Sequence, residues 1–245
     1  RTTERTALDV VTELLGLRPT VPGDPPGARV GVVAGRAGPA FLVPLGWTDA
    51  AAASCLAYQG LRARRTRLNR FVVGHALRSR AGRRVVLDGE LTIDDGEGSL
   101  LAHLRTALGR DDLAVAAGIG HIHQLWRPTL QVFTSDGTPA AYVKIGRDPL
   151  VASFLDNEAD VLERWADHPA PRLVVPPLLA RTTWSGYPVV AVAPMPRDVR
   201  RLPPGPVGAW GVRTLDDPLA DAPLDAAPWW IGRRGRAEGE AEIDE

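Results

Sequence analysis

Residues 127–148 read RPTLQVFTSDGTPAAYVKIGRD, and residues 149–165 continue as PLVASFLDNEADVLERW. Two strand-like runs, Thr129–Thr134 and Ala140–Ile145, flank Ser135-Asp136-Gly137-Thr138-Pro139, whose Asp-Gly pair is a hairpin turn signal. Side chains alternate along a strand, so Ala140, Tyr142 and Lys144 face one side and Ala141, Val143 and Ile145 the other. The following run has a helical period, with Val151, Phe154, Leu155, Leu162 and Trp165 recurring on one face. Glu158 falls on that apolar face. A carboxylate there is costly without a cation on the element it packs against, and Lys144 on the preceding strand is the nearest candidate. Lys144 is also the only lysine among the 29 Lys and Arg residues of the chain. That usage suggests a site for a compact ammonium rather than a planar guanidinium.

Residues 171–196, PRLVVPPLLARTTWSGYPVVAVAPMP, add two further strand-like runs. Taken together, roughly residues 112–198 resemble the small lobe of protein-kinase-like enzymes, most closely the aminoglycoside phosphotransferase-like branch. The resemblance implies that Tyr142-Val143-Lys144-Ile145 is the third lobe strand, whose lysine contacts ATP phosphates, and that Glu158 is its partner on the lobe's helix. It implies that Val189–Pro196 enters a hinge where backbone near Ala193 and Met195 meets adenine. Gly118 and Gly120 would lie in the loop near the phosphates. That loop departs from the protein-kinase pattern, because His121-Ile122-His123-Gln124 stands where a further glycine is expected. Singly, a strand lysine or a helix glutamate reads as a solvated surface group; the ordered combination carries the assignment.

The implied function is the N-terminal part of an ATP-dependent small-molecule phosphotransferase, with ATP as ligand and Mg2+ only alongside a large lobe. After Met195 no His-x-Asp with a following Asn occurs, and Leu215-Asp216-Asp217 lacks the Phe-Gly of the usual metal motif. Half an active site is therefore expected, with no catalytic residue assigned and the chain read as a fragment with little or no transfer activity of its own. The alternative is a non-catalytic protein-interaction or regulatory module of kinase-like fold. The acceptor molecule is not specified by these residues.

The 245 residues are 44% hydrophobic, enough for a real core, and carry 29 basic and 29 acidic side chains. Zero net charge gives no field that would draw the protein to nucleic acid or an anionic membrane. The single cysteine, Cys55, excludes a disulfide framework within one chain and reads as a small buried residue in an alanine-rich run. No apolar run is long enough to span a bilayer and the opening residues lack a secretory pattern, which points to a cytoplasmic protein.

The fold class expected is α+β, in three parts: an α/β extension over 1–110, the small lobe over 111–198, and an irregular segment with a mobile tail over 199–245. In the first part, residues 2–17 read as an amphipathic helix with Ala7, Val10, Val11, Leu14 and Leu15 on one face. Arg29–Ala34 and Pro39–Leu45 read as a strand pair, with Pro39 and Pro44 suggesting that the second is short or at an edge. Thr48 is placed to cap a helix over 49–58. Arg83–Leu87 reads as a strand leading into an acidic turn through Asp88, Glu90, Asp94 and Asp95. Ser99 caps a helix carrying Leu100, Leu101, Leu104 and Leu108, closed by Gly109. Arg62, Arg64, Arg65, Arg67 and Arg70 form the main basic cluster, open to three readings: a phosphate-backbone surface, a solvated helix face, or a contact for an acidic protein partner. No nucleic-acid motif accompanies it, so nucleic acid is disfavoured. Trp210, Trp229 and Trp230 are further candidates for a protein contact. His121 and His123 lack a third ligand at metal spacing.

Overall fold

The structure, a computed structural model, describes residues 6–35, 38–57, 64–119, 126–167 and 175–196. Nearly all of these belong to one unit formed by 1–166 and 176–202; a second unit comprises 167–175 and 203–245, of which only Asp167 and Val175 are described. The tail and the three tryptophans at 210, 229 and 230 thus lie outside the described residues.

The elements run α1 (Ala7–Leu15), β1 (Arg18–Pro19), β2 (Arg29–Gly35), β3 (Gly38–Pro44), α2 (Thr48–Leu56), α3 (Arg64–Ala76), α4 (Arg80–Val86), β4 (Leu87–Thr92), α5 (Leu100–Leu108), β5 (Leu113–Gly118), β6 (Thr129–Thr134), β7 (Pro139–Ile145), α6 (Pro149–Asp167), β8 (Leu178–Trp184) and β9 (Tyr187–Val192). The nine strands among the described residues join one sheet in the order β1-β4-β2-β3-β5-β6-β7-β9-β8. Every neighbouring pair is antiparallel. The α+β class expected from sequence is thus present, as an antiparallel sheet with six helices among the described residues.

The sequence boundary at 110 falls inside this sheet. Phe41 and Leu42 of β3 pair with Gly118 and Ala117 of β5, so the first 110 residues and the following strands share one ladder. They also share a core. Val10, Val11, Leu14 and Leu15 of α1 and Leu100, Leu101 and Leu104 of α5 pack with Leu42, Leu113, Val115, Leu130, Val132, Val143 and Ala191 on one face of the sheet. The opposite face carries α2 and α3 over β2 and β3, through Phe41, Val43, Ala51, Cys55, Val73 and Leu77. A two-sided sheet explains why β5 reads LAVAAG, apolar at five successive buried positions. Arg147 on Glu13 (2.8 Å) and the Trp184 indole N–H donated to the Gly98 carbonyl (3.0 Å) tie the two sequence segments further.

Local chemistry accounts for most element ends. Thr6 and Asp9 form a capping box on α1, and Gly16 closes it in the left-handed region. At α5 the Ser99 hydroxyl accepts from the Ala102 N–H, and Gly109 closes the helix in the left-handed region. At α6, Asp148 accepts from the Leu150 N–H at 2.8 Å and Pro149 takes the first helical position, where a missing N–H is harmless. Its buried side chains, Val151, Leu155, Ala159 and Leu162, follow the helical period, and complete burial of Leu155 stabilises by roughly 2 kcal/mol.

Four expectations need correction. β3 is central rather than short or at an edge. It has seven residues and pairs on both sides, while Pro39 sits beside a register shift and Pro44 is the last strand residue, so neither removes a needed donor. Thr48 is not the cap of α2. Trp47 holds that position, and the Thr48 hydroxyl instead accepts from Arg83 at 3.0 Å. Residues 83–86 are helical, because Ser79 caps α4 and the strand begins only at Leu87; Asp88 and Glu90 belong to it and point outward near the sheet margin. Phe154 is 45% exposed and lies off the buried face of α6. No helix among the described residues is long and apolar enough to cross a membrane.

Two residues test the framework. Asp24 accepts from Arg18, from the Val21 N–H (2.8 Å) and from the Thr92 hydroxyl (2.8 Å), fastening the 20–27 connector to β4. The Arg18 guanidinium first, then the Val21 N–H, hold its carboxyl well below the usual carboxylate range. The folded-state value is below the unfolded one of about 3.9, so the contribution is complete above that pH and is lost as pH falls. Asp24→Asn should therefore lower Tm at pH 7, with the gap to wild type narrowing below about pH 4 in thermal melts; a pH-independent gap would contradict this assignment. Gly137 has φ +81°, and a Cβ there would stand 2.6 Å from the Asp49 carbonyl oxygen. Gly137→Ala should cost more than about 1 kcal/mol in denaturant unfolding.

Candidate functional site

The candidate site is built on the face of β7 that carries Tyr142 and Lys144. Ala141, Val143 and Ile145 are buried on the opposite face, as alternation requires. Register fixes what lies beside the lysine: Lys144 stands opposite Thr129 of β6 and Val190 of β9, and Val190 in turn opposite Arg181 of β8. Helix α6 lies over this row. Arg181 holds it by pairing with Asp160 at 2.6 Å and Asp156 at 3.2 Å, and the Lys144 ammonium donates to Glu158 Oε1. The helix pattern asks for a cation under Glu158, and the structure supplies Lys144.

Both members of the pair are mostly shielded, their side chains 19% and 28% exposed. Partial desolvation raises the cost of leaving either charge alone. Sequence reading missed the second cation. Arg127 Nη2 lies 3.7 Å from Glu158 Oε2, so the carboxylate sits between an ammonium and a guanidinium. The signal was available in the hairpin register, since Arg127 stands two residues before Thr129, the residue opposite Lys144.

The other expected site residues are arranged around this pair. Ala117 pairs with Leu130, and Leu130 with Val143; Gly118, the next residue of β5, therefore falls level with the Thr129–Lys144 pair. It is exposed, and a Cβ there would meet nothing within 4 Å. Gly120, His121 and His123 lie outside the described residues. Ala193 follows β9 three residues beyond Val190, about 10 Å along the strand. Its N–H donates to the Pro177 carbonyl at 2.8 Å, so that donor is committed. Met195 is 44% exposed.

Among the described residues no group of three His, Cys, Asp or Glu is placed to hold a metal. Arg65 and Arg67 are exposed, whereas Arg70 turns inward to the Ser54 carbonyl (3.3 Å) and stacks 4.7 Å over the Phe41 ring. Arg62 and the Arg64 side chain lie outside the described residues. Cys55 is fully buried. No protein-family model, curated protein or solved structure matches the chain.

The geometry orders the two ion pairs at Glu158. Double-mutant cycles of unfolding should give Lys144–Glu158 a coupling on the order of 1 kcal/mol and Arg127–Glu158 a smaller one. Equal couplings, or none, would show that Glu158 is not held chiefly by Lys144.

Proposed function

We propose that this chain supplies the nucleotide-binding lobe of an ATP-dependent small-molecule phosphotransferase of the aminoglycoside phosphotransferase-like, protein-kinase-like class. The observation that carries the reading is the Lys144–Glu158 contact between β7 and α6. Such a lobe needs a strand lysine steadied by a carboxylate on the next helix, in a sheet whose last strand leads to the adenine contact. The order β5-β6-β7-β9-β8, with α6 between β7 and β8, supports it.

In this reading the Lys144 ammonium is the point charge that meets the ATP phosphates, and Glu158 fixes its position. Thr129 stands beside it and Gly118 one strand further on the same row, where it has the clearance to admit phosphate oxygens close to the backbone. The adenine contact falls to backbone near Ala193 and Met195. At Ala193 it is the carbonyl that is assigned, because the N–H is used by Pro177. Mg2+, which would neutralise phosphate charge, belongs to this reading only alongside a large lobe, and no residue of this chain is assigned to hold it. Acceptor binding and phosphoryl transfer are not assigned to residues of this chain.

The alternative, a non-catalytic protein-interaction module, is favoured by one observation: α3 exposes Leu68, Phe71 and Val72 at helical spacing. The two readings separate on Lys144. Calorimetric titration with ATP should give weak, saturable binding by wild type. Lys144→Met should weaken it roughly tenfold, about 1.4 kcal/mol. Binding indifferent to Lys144, or no saturable binding, would overturn the nucleotide-lobe reading.

A further inference from the structure

A second feature stands apart from the Lys144 row, where α4 and the strand β4 that follows it meet β2 and the end of β3. A cleft of about 630 Å3 is lined there by Arg29, Leu45, Gly46, Arg80, Arg83, Arg84, Leu87, Asp88, Gly89 and Glu90. That volume is in the range of small-molecule sites. Arg83 is part of its wall rather than a free charge: its guanidinium donates to the carbonyls of Leu77 (2.8 Å) and Leu45 (3.3 Å) and to the Thr48 hydroxyl (3.0 Å).

The remaining charged groups are different. Among the described residues, the side chains of Arg29, Arg80 and Arg84 make no hydrogen bond or ion pair, and neither do those of Asp88 and Glu90. Arg29 Nε is also sealed from solvent with no acceptor. That sealed N–H is out of a ligand's reach, so the charged groups a ligand can meet are the ones that stay exposed at the cleft, Arg80, Arg84, Asp88 and Glu90, with the rest of the half-buried Arg29 side chain in the lining. Opposite charges share one lining without pairing to one another, which leaves both signs available.

We propose that this cleft binds a small phosphomonoester that also carries hydroxyl groups. Guanidinium forks suit phosphate oxygens, taking two parallel hydrogen bonds each. Arg29, Arg80 and Arg84 supply them. Ionised carboxylates only accept, so Asp88 and Glu90 take donors, and hydroxyls on the same molecule provide these without adding negative charge. Gly89 adds clearance, since a Cβ there would meet nothing within 4 Å. The site is independent of nucleotide binding at Lys144.

The test uses the full chain with glucose 6-phosphate, glucose and inorganic phosphate as probes, followed by calorimetry. Glucose 6-phosphate should bind, and more tightly than either fragment. Arg80→Ala with Arg84→Ala should weaken it roughly tenfold or more, with circular dichroism checking the fold. Glu90→Gln should weaken glucose 6-phosphate but leave inorganic phosphate unchanged or tighter, because it removes an acceptor for hydroxyls and a repulsion for phosphate. Phosphate binding as tightly as the sugar phosphate would overturn the hydroxyl-bearing class. Absence of saturable binding at millimolar probe, or binding indifferent to the arginine pair, would overturn the site.

Discussion

A charge set against the middle of a two-sided sheet has to be answered by an opposite charge at close range, and here Lys144 and Glu158 answer one another. β7 lies deep in the strand order, with its Val143 face sealed by the core shared with α1 and α5. Its other face is covered in part by α6, whose apolar side chains bring Glu158 down onto the sheet. Removing either charge leaves the other partly desolvated. The pair therefore does two things: it sets the rotation of α6 against the sheet, and it holds the ammonium in one position.

The continuity of the sheet gives that position its rigidity. Pairing of β3 with β5 joins the first 110 residues to the strands that carry Lys144, and α1 and α5 pack beneath both. The Gly137 turn packs against the start of α2, which ties the β6–β7 hairpin to the N-terminal helices. If Lys144 meets phosphate as proposed, such fixed surroundings would help, because the ordering cost is met on folding rather than on binding.

The β6–β7 hairpin, the face of Lys144 and the caps of α1 and α5 were legible in the sequence because local rules decide them: an Asp-Gly turn, strict alternation, and Ser or Thr before and Gly after an apolar period. What was not legible depended on neighbours distant in sequence. Pro39 and Pro44 argued for an edge strand until pairing with β2 and β5 placed them at the strand's ends. Thr48 had the chemistry of a cap, but Arg83, 35 residues away, takes its hydroxyl. Val85 and Val86 suggested a strand, and the Ser79 cap turned them into the last residues of a short helix. Phe154 matched the helical period yet fell at its margin, where the sheet no longer covers it. At the site the same division holds: Lys144 and Glu158 could be paired from periodicity, whereas Arg127 enters only through the register of the hairpin.

The uniqueness of Lys144 permits a direct test of the central claim. In a sample labelled with 13C and 15N lysine, one side-chain signal reports on this site alone. Titration with ATP should shift that signal saturably, and adenosine, which lacks phosphates, should leave it nearly unmoved. A lysine signal indifferent to ATP, or equally responsive to adenosine, would contradict the assignment of Lys144 as the phosphate contact.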